Sequence, residues 1–260
     1  MKKTYITRKN DIVYVNDNLI LTNKQILDAV MFSNNAMSDL YNQTIKFDIN
    51  IFEVLGMRNL SGLVGEYLSR SLQRFSNGSL QSNLHQDGYP DLLLTNTIEQ
   101  KNYFESLYTT IDGKKFPHNK SDFSPFKFGG IEVKATCGST PSANQTPKPL
   151  IGQTRITLLK SFDWKAHHRE TNNLIGILWD FIDFIPTVVA VFYSNELTIE
   201  DWGKIVKPKT DGGRTTSVSI MKKSSVKKMC KNWVIVLNDE TYIQTLSKDS
   251  WIGYRVTNNY

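Results

Sequence analysis

Two apolar runs, Asn173–Ile182 and Thr187–Tyr193, constrain the fold of this chain more than any other segment. Both are rich in β-branched and aromatic residues, and Asp183-Phe184-Ile185-Pro186 joins them. The pattern predicts a β-hairpin. A helix over 172–182 also fits, because a short apolar run carries no period that separates the two. Hydrophobic residues make up 40% of the 260, enough to bury a core in a single α/β domain. No segment approaches ~20 uninterrupted apolar residues, so no membrane span is expected. The stretch Met1–Arg8 carries positive charge with no apolar run behind it, unlike a secretory signal. Cys137 and Cys230 share no CxxC spacing. They read as reduced thiols of a cytoplasmic protein, with a disulfide as the other reading.

Around the hairpin, local patterns predict further elements. Residues 11–22 alternate about Asn16-Asp17-Asn18, which predicts a small hairpin. Thr22 or Asn23 caps a helix through about Ile45, with Ile26, Leu27, Val30, Met31, Met37, Leu40 and Tyr41 on one stripe. A second helix, capped by Asn59 or Ser61, carries Leu60, Leu63, Val64, Tyr67, Leu68 and Leu72, and Asn77-Gly78 ends it. Asp87-Gly88 is a turn, after which Pro90 opens a short strand, Asp91–Leu94. A helix over 99–108, a loop over 112–128, a strand over Ile131–Thr136 and a long loop over 137–152 follow. Strands are expected at Arg155–Leu159 and Asn232–Leu237, and a capped helix from Thr198 to Ile205.

Charge is concentrated. Between Gly203 and Lys231 nine basic residues face the single acid Asp211, so this stretch carries +8. The formal charge of the whole is +6, which leaves −2 for the rest. One-signed charge packed into one segment is what phosphate neutralisation needs, although a solvated surface also accounts for it.

The chemistry-bearing residues are Pro90-Asp91 and Glu132-Val133-Lys134. Cleaving a phosphodiester needs a cation that holds a non-bridging oxygen and lowers the pKa of a water. Hard Mg²⁺ prefers carboxylate and carbonyl oxygens. Residues i and i+2 of a strand share a face, so Glu132 and Lys134 project together while Val133 turns inward and leaves its carbonyl as a further oxygen ligand. Lys134 would then orient the nucleophile and stabilise the charge of the transition state.

This arrangement resembles the PD-(D/E)XK nucleases, with Pro90-Asp91 as the PD half and Glu132-Val133-Lys134 as the ExK half. The resemblance implies an α/β fold, a central mixed β-sheet flanked by helices, with Mg²⁺ at the strand ends. It also implies an acid on a preceding helix, for which Glu66 stands in the right order as a third metal ligand; an ordinary surface carboxylate is the other reading. The spacing from Asp91 to Glu132, 41 positions, implies an insertion over 95–128.

A second resemblance rests on the C-terminal half. Asn173–Asp183 with Pro186 and Val191-Phe192-Tyr193, then Glu200-Asp201-Trp202-Gly203, Gly212–Ser219, Lys228-Met229 and Asn232-Trp233 look like the type II restriction endonucleases of bacteria. That resemblance covers most of 60–240. It implies a homodimer in which each chain cuts one strand of a palindromic double-stranded DNA, leaving 5′-phosphate ends, and a cognate DNA methyltransferase in the same system. One nuclease domain is expected over 1–260: an extension over 1–58, a catalytic core over 60–200 and a recognition segment over 203–231. In that segment Arg214 can fork onto guanine, Thr215, Thr216 and Ser217 can reach base edges, and Lys207, Lys209, Lys222, Lys223, Lys227 and Lys228 can hold phosphates.

Rival readings are a repair or nicking nuclease of the same fold and a non-catalytic DNA-binding protein. No GxxxxGK[ST] motif is present, which argues against a translocating enzyme. His85, His118, His167 and His168 lack zinc-ligand spacing. The tryptophans at 164, 179, 202, 233 and 251 read as core rather than as base-stacking platforms.

Overall fold

The structure is a computed structural model, and it describes residues 3–85, 88–123, 128–140, 149–167, 169, 172–207 and 217–247. Elements follow in the order β1 (Tyr5–Thr7), β2 (Val13–Val15), β3 (Asn18–Leu21), α1 (Asn23–Ile45), α2 (Ile51–Phe75), β4 (Leu80–Ser82), β5 (Leu92–Leu94) and α3 (Ile98–Ser106). Then come β6 (Tyr108–Ile111), β7 (Lys114–Pro117), β8 (Gly130–Thr136), β9 (Lys165–Ala166), β10 (Leu174–Ile182), β11 (Ile185–Ser194), β12 (Ser219–Ile220), α4 (Lys223–Lys231), β13 (Trp233–Leu237) and α5 (Glu240–Leu246).

The apolar hairpin is the centre of the molecule. Asp183 and Phe184 turn it with φ of 52° and 66°, the paired left-handed geometry that suits a two-residue loop. Its strands β10 and β11 lie inside a seven-stranded sheet of order β1-β13-β11-β10-β8-β5-β4. The pairing of β10 with β8 is parallel and the others are antiparallel, so the sheet is mixed. Because helices cover both faces, the central strands are buried almost throughout and mainly apolar rather than alternating.

The two faces have separate cores. Ile131, Val133, Ile175, Ile177, Trp179 and Val191 pack under α1 and α2, against Ile26, Val30, Met37, Leu60, Val64, Leu68 and Leu72. Leu174, Leu178, Phe192 and Trp233 pack on the other face with Trp164, Val226, Met229, Cys230 and Tyr242. A small third core, Leu93, Phe104, Leu107, Tyr108 and Phe123, seats α3 and the β6–β7 hairpin. The tryptophans at 164, 179, 202 and 233 are buried, as core residues should be, and Trp251 lies outside the described residues. Both cysteines are free thiols.

Helix α1 starts where the sequence places it. Thr22 accepts from the Gln25 amide while the Gln25 side chain accepts from the Thr22 amide, a reciprocal cap. Helix α2 starts earlier than expected, at Asn50 instead of Asn59 or Ser61. Asn50 caps the Phe52 amide at 3.1 Å, and Phe52 is fully buried. Gly56, at φ 66° and ψ 162°, then kinks the helix and interrupts its apolar period.

Several other expectations change. Arg155–Leu159 is no strand: only a 3-10 turn at Ile156–Leu158 forms there. The buried Asp180 carboxylate takes the Arg155 amide at 2.8 Å and the Ile156 amide at 2.9 Å, so neither is free for a ladder. From Thr198 only a short turn, Ile199–Asp201, is helical, because the Trp202 backbone is extended and bridges to Met221. The loop read over 112–128 begins with the second strand of a hairpin, β6–β7, turning at Asp112-Gly113 with φ of 49° and 73°. The described part of the extension expected over 1–58 is built into the fold. Strand β1 pairs with β13 at the sheet edge, and α1 contributes to the main core. The expected turn at Asp87 lies outside the described residues. Among the described residues no helix is long and apolar enough to cross a membrane.

Candidate active site

The residues that converge lie on neighbouring antiparallel strands. Leu92 pairs with Ile131 and Leu93 with Gly130, so the register brings Asp91 opposite Glu132 just before β5 begins. Leu92, Ile131, Val133 and Ala135 face α1 and α2. Asp91, Glu132 and Lys134 therefore project from the opposite face. There they lie between the small core under α3 and the core under α4.

Their contacts interlock. The Asp91 amide donates to Glu132 Oε2 at 3.1 Å. The Val133 amide donates to Asp91 Oδ2 at 2.8 Å. Lys134 Nζ donates to Glu132 Oε1 and lies 3.6 Å from Asp91 Oδ2. The ammonium thus bridges both carboxylates. Glu132 donates its amide to the Asn173 carbonyl of the neighbouring chain segment at 3.0 Å. Backbone groups alternate along a strand, so the Val133 amide and carbonyl face the other way, toward the side where β5 has stopped.

Glu132 is 6% exposed. Burial raises its pKa to about 7; the Lys134 charge pulls it down and the Asp91 charge pushes it up again. Burial works against the Lys134 ammonium too, but the carboxylates of Glu132 and Asp91 outweigh it and raise its pKa. The result is a cluster of two acids and one fixed cation, with Glu132 buried and Asp91 and Lys134 partly exposed.

Glu66 does not join them. At about 100° per residue it lies roughly 160° round α2 from Val64 and Leu68, which face the sheet. It is exposed on the outer side of the helix, in a groove with Phe32, Leu63, Tyr67, Arg70 and Arg74. Among the described residues no three His, Cys, Asp or Glu side chains group to hold a metal ion. The oxygen donors brought together are those of Asp91 and Glu132, with the Val133 carbonyl beside them.

The basic segment is partly placed. Lys223 and Lys227 lie exposed on α4, a helix the sequence reading missed although Val226, Met229 and Cys230 show its spacing. Met229 reaches the same face of the sheet as the acids. A β-carbon on Gly176, the register partner of Lys134, would meet Met229 Cε at 2.9 Å. Lys222 and Lys207 are exposed, and the Ser217 carbonyl lies 2.9 Å from His167 Nδ1. Lys228 is committed elsewhere, since its Nζ is 2.8 Å from Oδ1 of the buried Asp201. Lys209, Arg214, Thr215, Thr216 and His168 lie outside the described residues.

One further group adjoins the site and was not foreseen. Thr136, two residues beyond Lys134 on the same face, donates its hydroxyl to Asp163. Asp163 pairs with Lys165 at 3.3 Å. Lys165 opens β9, which pairs with β12 just before α4. A local pattern gives no hint of it, because Asp163 lies in irregular chain.

No family model, curated protein or solved structure matches this chain.

Proposed function

We propose that this protein is a Mg²⁺-dependent, sequence-specific DNA endonuclease of the PD-(D/E)XK kind, acting as a type II restriction endonuclease. The observation that carries the reading is the convergence of Asp91, Glu132 and Lys134, with Lys134 Nζ on Glu132 and 3.6 Å from Asp91. The element order supports it as well: a helix, then β4, β5 and β8 as an antiparallel meander, then β10 parallel to β8.

The donor set suits a hard dication. Two carboxylates crowd a partly buried space, and burial together with Asp91 raises the Glu132 pKa, a cost that a dication relieves. Asp91, Glu132 and the Val133 carbonyl would hold it. When bound, Mg²⁺ supplies Lewis acidity at the phosphate and a more acidic water. Lys134, released from the carboxylates, would orient the attacking water and oppose charge growing on the phosphate. Lys223 and Lys227 of α4 would hold the duplex on this face. A restriction role also implies a partner DNA methyltransferase that protects the same sequence.

Digestion of phage DNA with and without Mg²⁺ tests the reading, with Glu132→Ala and Lys134→Ala as controls. The expected result is discrete fragments from the wild type in Mg²⁺ alone, and none from either variant, with DNA affinity largely retained. Nicks without fragments would favour a repair or nicking enzyme. DNA that stays intact in both Mg²⁺ and Mn²⁺ yet is bound would leave a non-catalytic DNA-binding protein.

A further inference from the structure

The segment Phe162–His167 lies on the site's face of the sheet, and its side chains alternate. Phe162, Trp164 and Ala166 are buried in the core under α4, while Asp163, Lys165 and His167 turn the other way. This outward row starts beside the Asp91–Glu132–Lys134 cluster. Thr136 shares a face of β8 with Glu132 and Lys134, and two residues of a strand span roughly 7 Å. The Thr136 hydroxyl accepts from the Gly138 amide at 2.9 Å and donates to Asp163 Oδ1. Thr136 is buried, so the Asp163 carboxylate is pinned next to the site. Its other oxygen lies 3.3 Å from Lys165 Nζ.

The row ends at the lysines of the basic segment. Lys165 is the register partner of Ile220, and directly opposed residues of an antiparallel pair share a face. Lys222, two residues beyond Ile220 in extended backbone, continues that face to the start of α4, where Lys223 and Lys227 are exposed. Lys165 thus closes the gap between the acids and the cations proposed to hold the duplex.

We propose that Lys165 binds a backbone phosphate of the DNA beside the one cut, and that Asp163 is where its ammonium rests until DNA arrives. The inference rests on the nuclease reading for its ligand and for the face that meets it. The exchange is easy. The Lys165 side chain is 49% exposed and that of Asp163 26%, and an ion pair open to water contributes little to stability. Asp163 keeps the Thr136 hydroxyl when the ammonium leaves. Lys228 is the contrast, because its partner Asp201 is buried and needs its cation. One strand of a duplex carries a phosphate about every 3.4 Å along the axis, so DNA lying over Glu132 and Lys134 brings several within reach of Lys165.

Binding of the full chain to a labelled duplex of mixed sequence, without metal and over a series of salt concentrations, tests the contact. Cleavage of phage DNA in Mg²⁺ is read on the same proteins. Lys165→Ala should lower the slope of log K against log salt by about 0.9, the share of one phosphate, and Lys165→Arg should keep the wild-type slope. Asp163→Asn should keep the slope and bind about threefold more tightly, because the amide still accepts from Thr136 but no longer competes for the ammonium. Melting temperatures should match wild type in all three, which separates a lost contact from a lost fold. An unchanged slope in Lys165→Ala overturns the inference, as does weaker binding by Asp163→Asn; a wild type that still cuts DNA then leaves the nuclease reading standing. A wild type that binds the duplex and cuts nothing sinks that reading, and a slope lost in Lys165→Ala still establishes the contact. A wild type without affinity for the duplex overturns both.

Discussion

Asp91 and Glu132 fix each other through the backbone, although 41 positions separate them in sequence. The Asp91 amide holds Glu132 Oε2 at 3.1 Å, and the amide following Glu132 holds Asp91 Oδ2 at 2.8 Å. Each carboxylate is thereby anchored by the strand that carries the other. The anchors fix one oxygen of each acid, and Lys134 joins the two.

The pH dependence of stability should bear the mark of Glu132. Its pKa is raised to about 7 by burial, against an ordinary value of 4.5. The folded state therefore binds this proton more tightly than the unfolded state does between those values. The stabilisation is fully present below pH 4.5 and is lost as pH rises through about 7. Melting of the metal-free protein should accordingly show a decline across pH 5–7 that Glu132→Gln removes. Identical pH profiles for the two proteins would contradict the assignment.

Lys134 should oppose metal binding even as it serves cleavage. Its ammonium bridges the two carboxylates that would hold the ion. Unit charges ~4 Å apart interact by about 4 kcal/mol at an effective dielectric near 20. Even after heavy discounting for water, Lys134→Ala should bind Mn²⁺ at least about tenfold more tightly than wild type, while losing cleavage. Titration calorimetry reads the affinity directly. Equal or weaker binding by the variant would show that the lysine does not compete with the ion.

The site and the fold were legible in the sequence to different depths. Asp91, Glu132 and Lys134 could be placed because a strand has a period of two and the three residues flank turns and strands that local composition marks. Glu66 failed for a reason also present in the sequence. Leu60, Val64, Leu68 and Leu72 already defined the buried stripe of α2, and Glu66 falls opposite it. The start of α2 was hidden because Gly56 breaks its period. The 3-10 turn after Arg155 depends on Asp180, 25 positions away, and the fate of Lys228 on Asp201, 27 positions away. No window of local sequence contains both partners. The β10–β11 hairpin was the favoured reading of two, since a helix over 172–182 also fitted the apolar run, and its pairing to β8 and β13 is a tertiary fact.

Gly176 should tolerate no side chain. It is the register partner of Lys134, and an added β-carbon would sit 2.9 Å from both Met229 Cε and Trp164 Cζ2. Met229 and Trp164 are fully buried, so neither has room to retreat. Overpacking of this kind costs about 1–3 kcal/mol. Urea unfolding of Gly176→Ala should show a lower midpoint at unchanged slope. A midpoint equal to wild type would mean that α4 sits more loosely on the sheet than its contacts indicate.

The lysines of α4 should divide into two kinds when DNA binding is measured against salt. Lys223 and Lys227 are exposed, one turn apart, and have no acid partner among the described residues. Each phosphate neutralised contributes about 0.9 to the slope of log K against log salt, so replacing both by Ala should reduce that slope by about 2 at unchanged melting temperature. Lys228 differs because it faces Asp201, which also accepts from Ser225 at 2.7 Å and from the Thr198 amide at 2.7 Å. Lys228→Ala leaves that buried carboxylate without its cation. It should lower stability by about 1–2 kcal/mol, a moderate loss because the ammonium is half in water. Its effect on the salt slope should be small. If instead Lys228→Ala flattens the slope and leaves melting unchanged, this lysine serves phosphate and not Asp201, and the surface that α4 offers DNA is one residue broader.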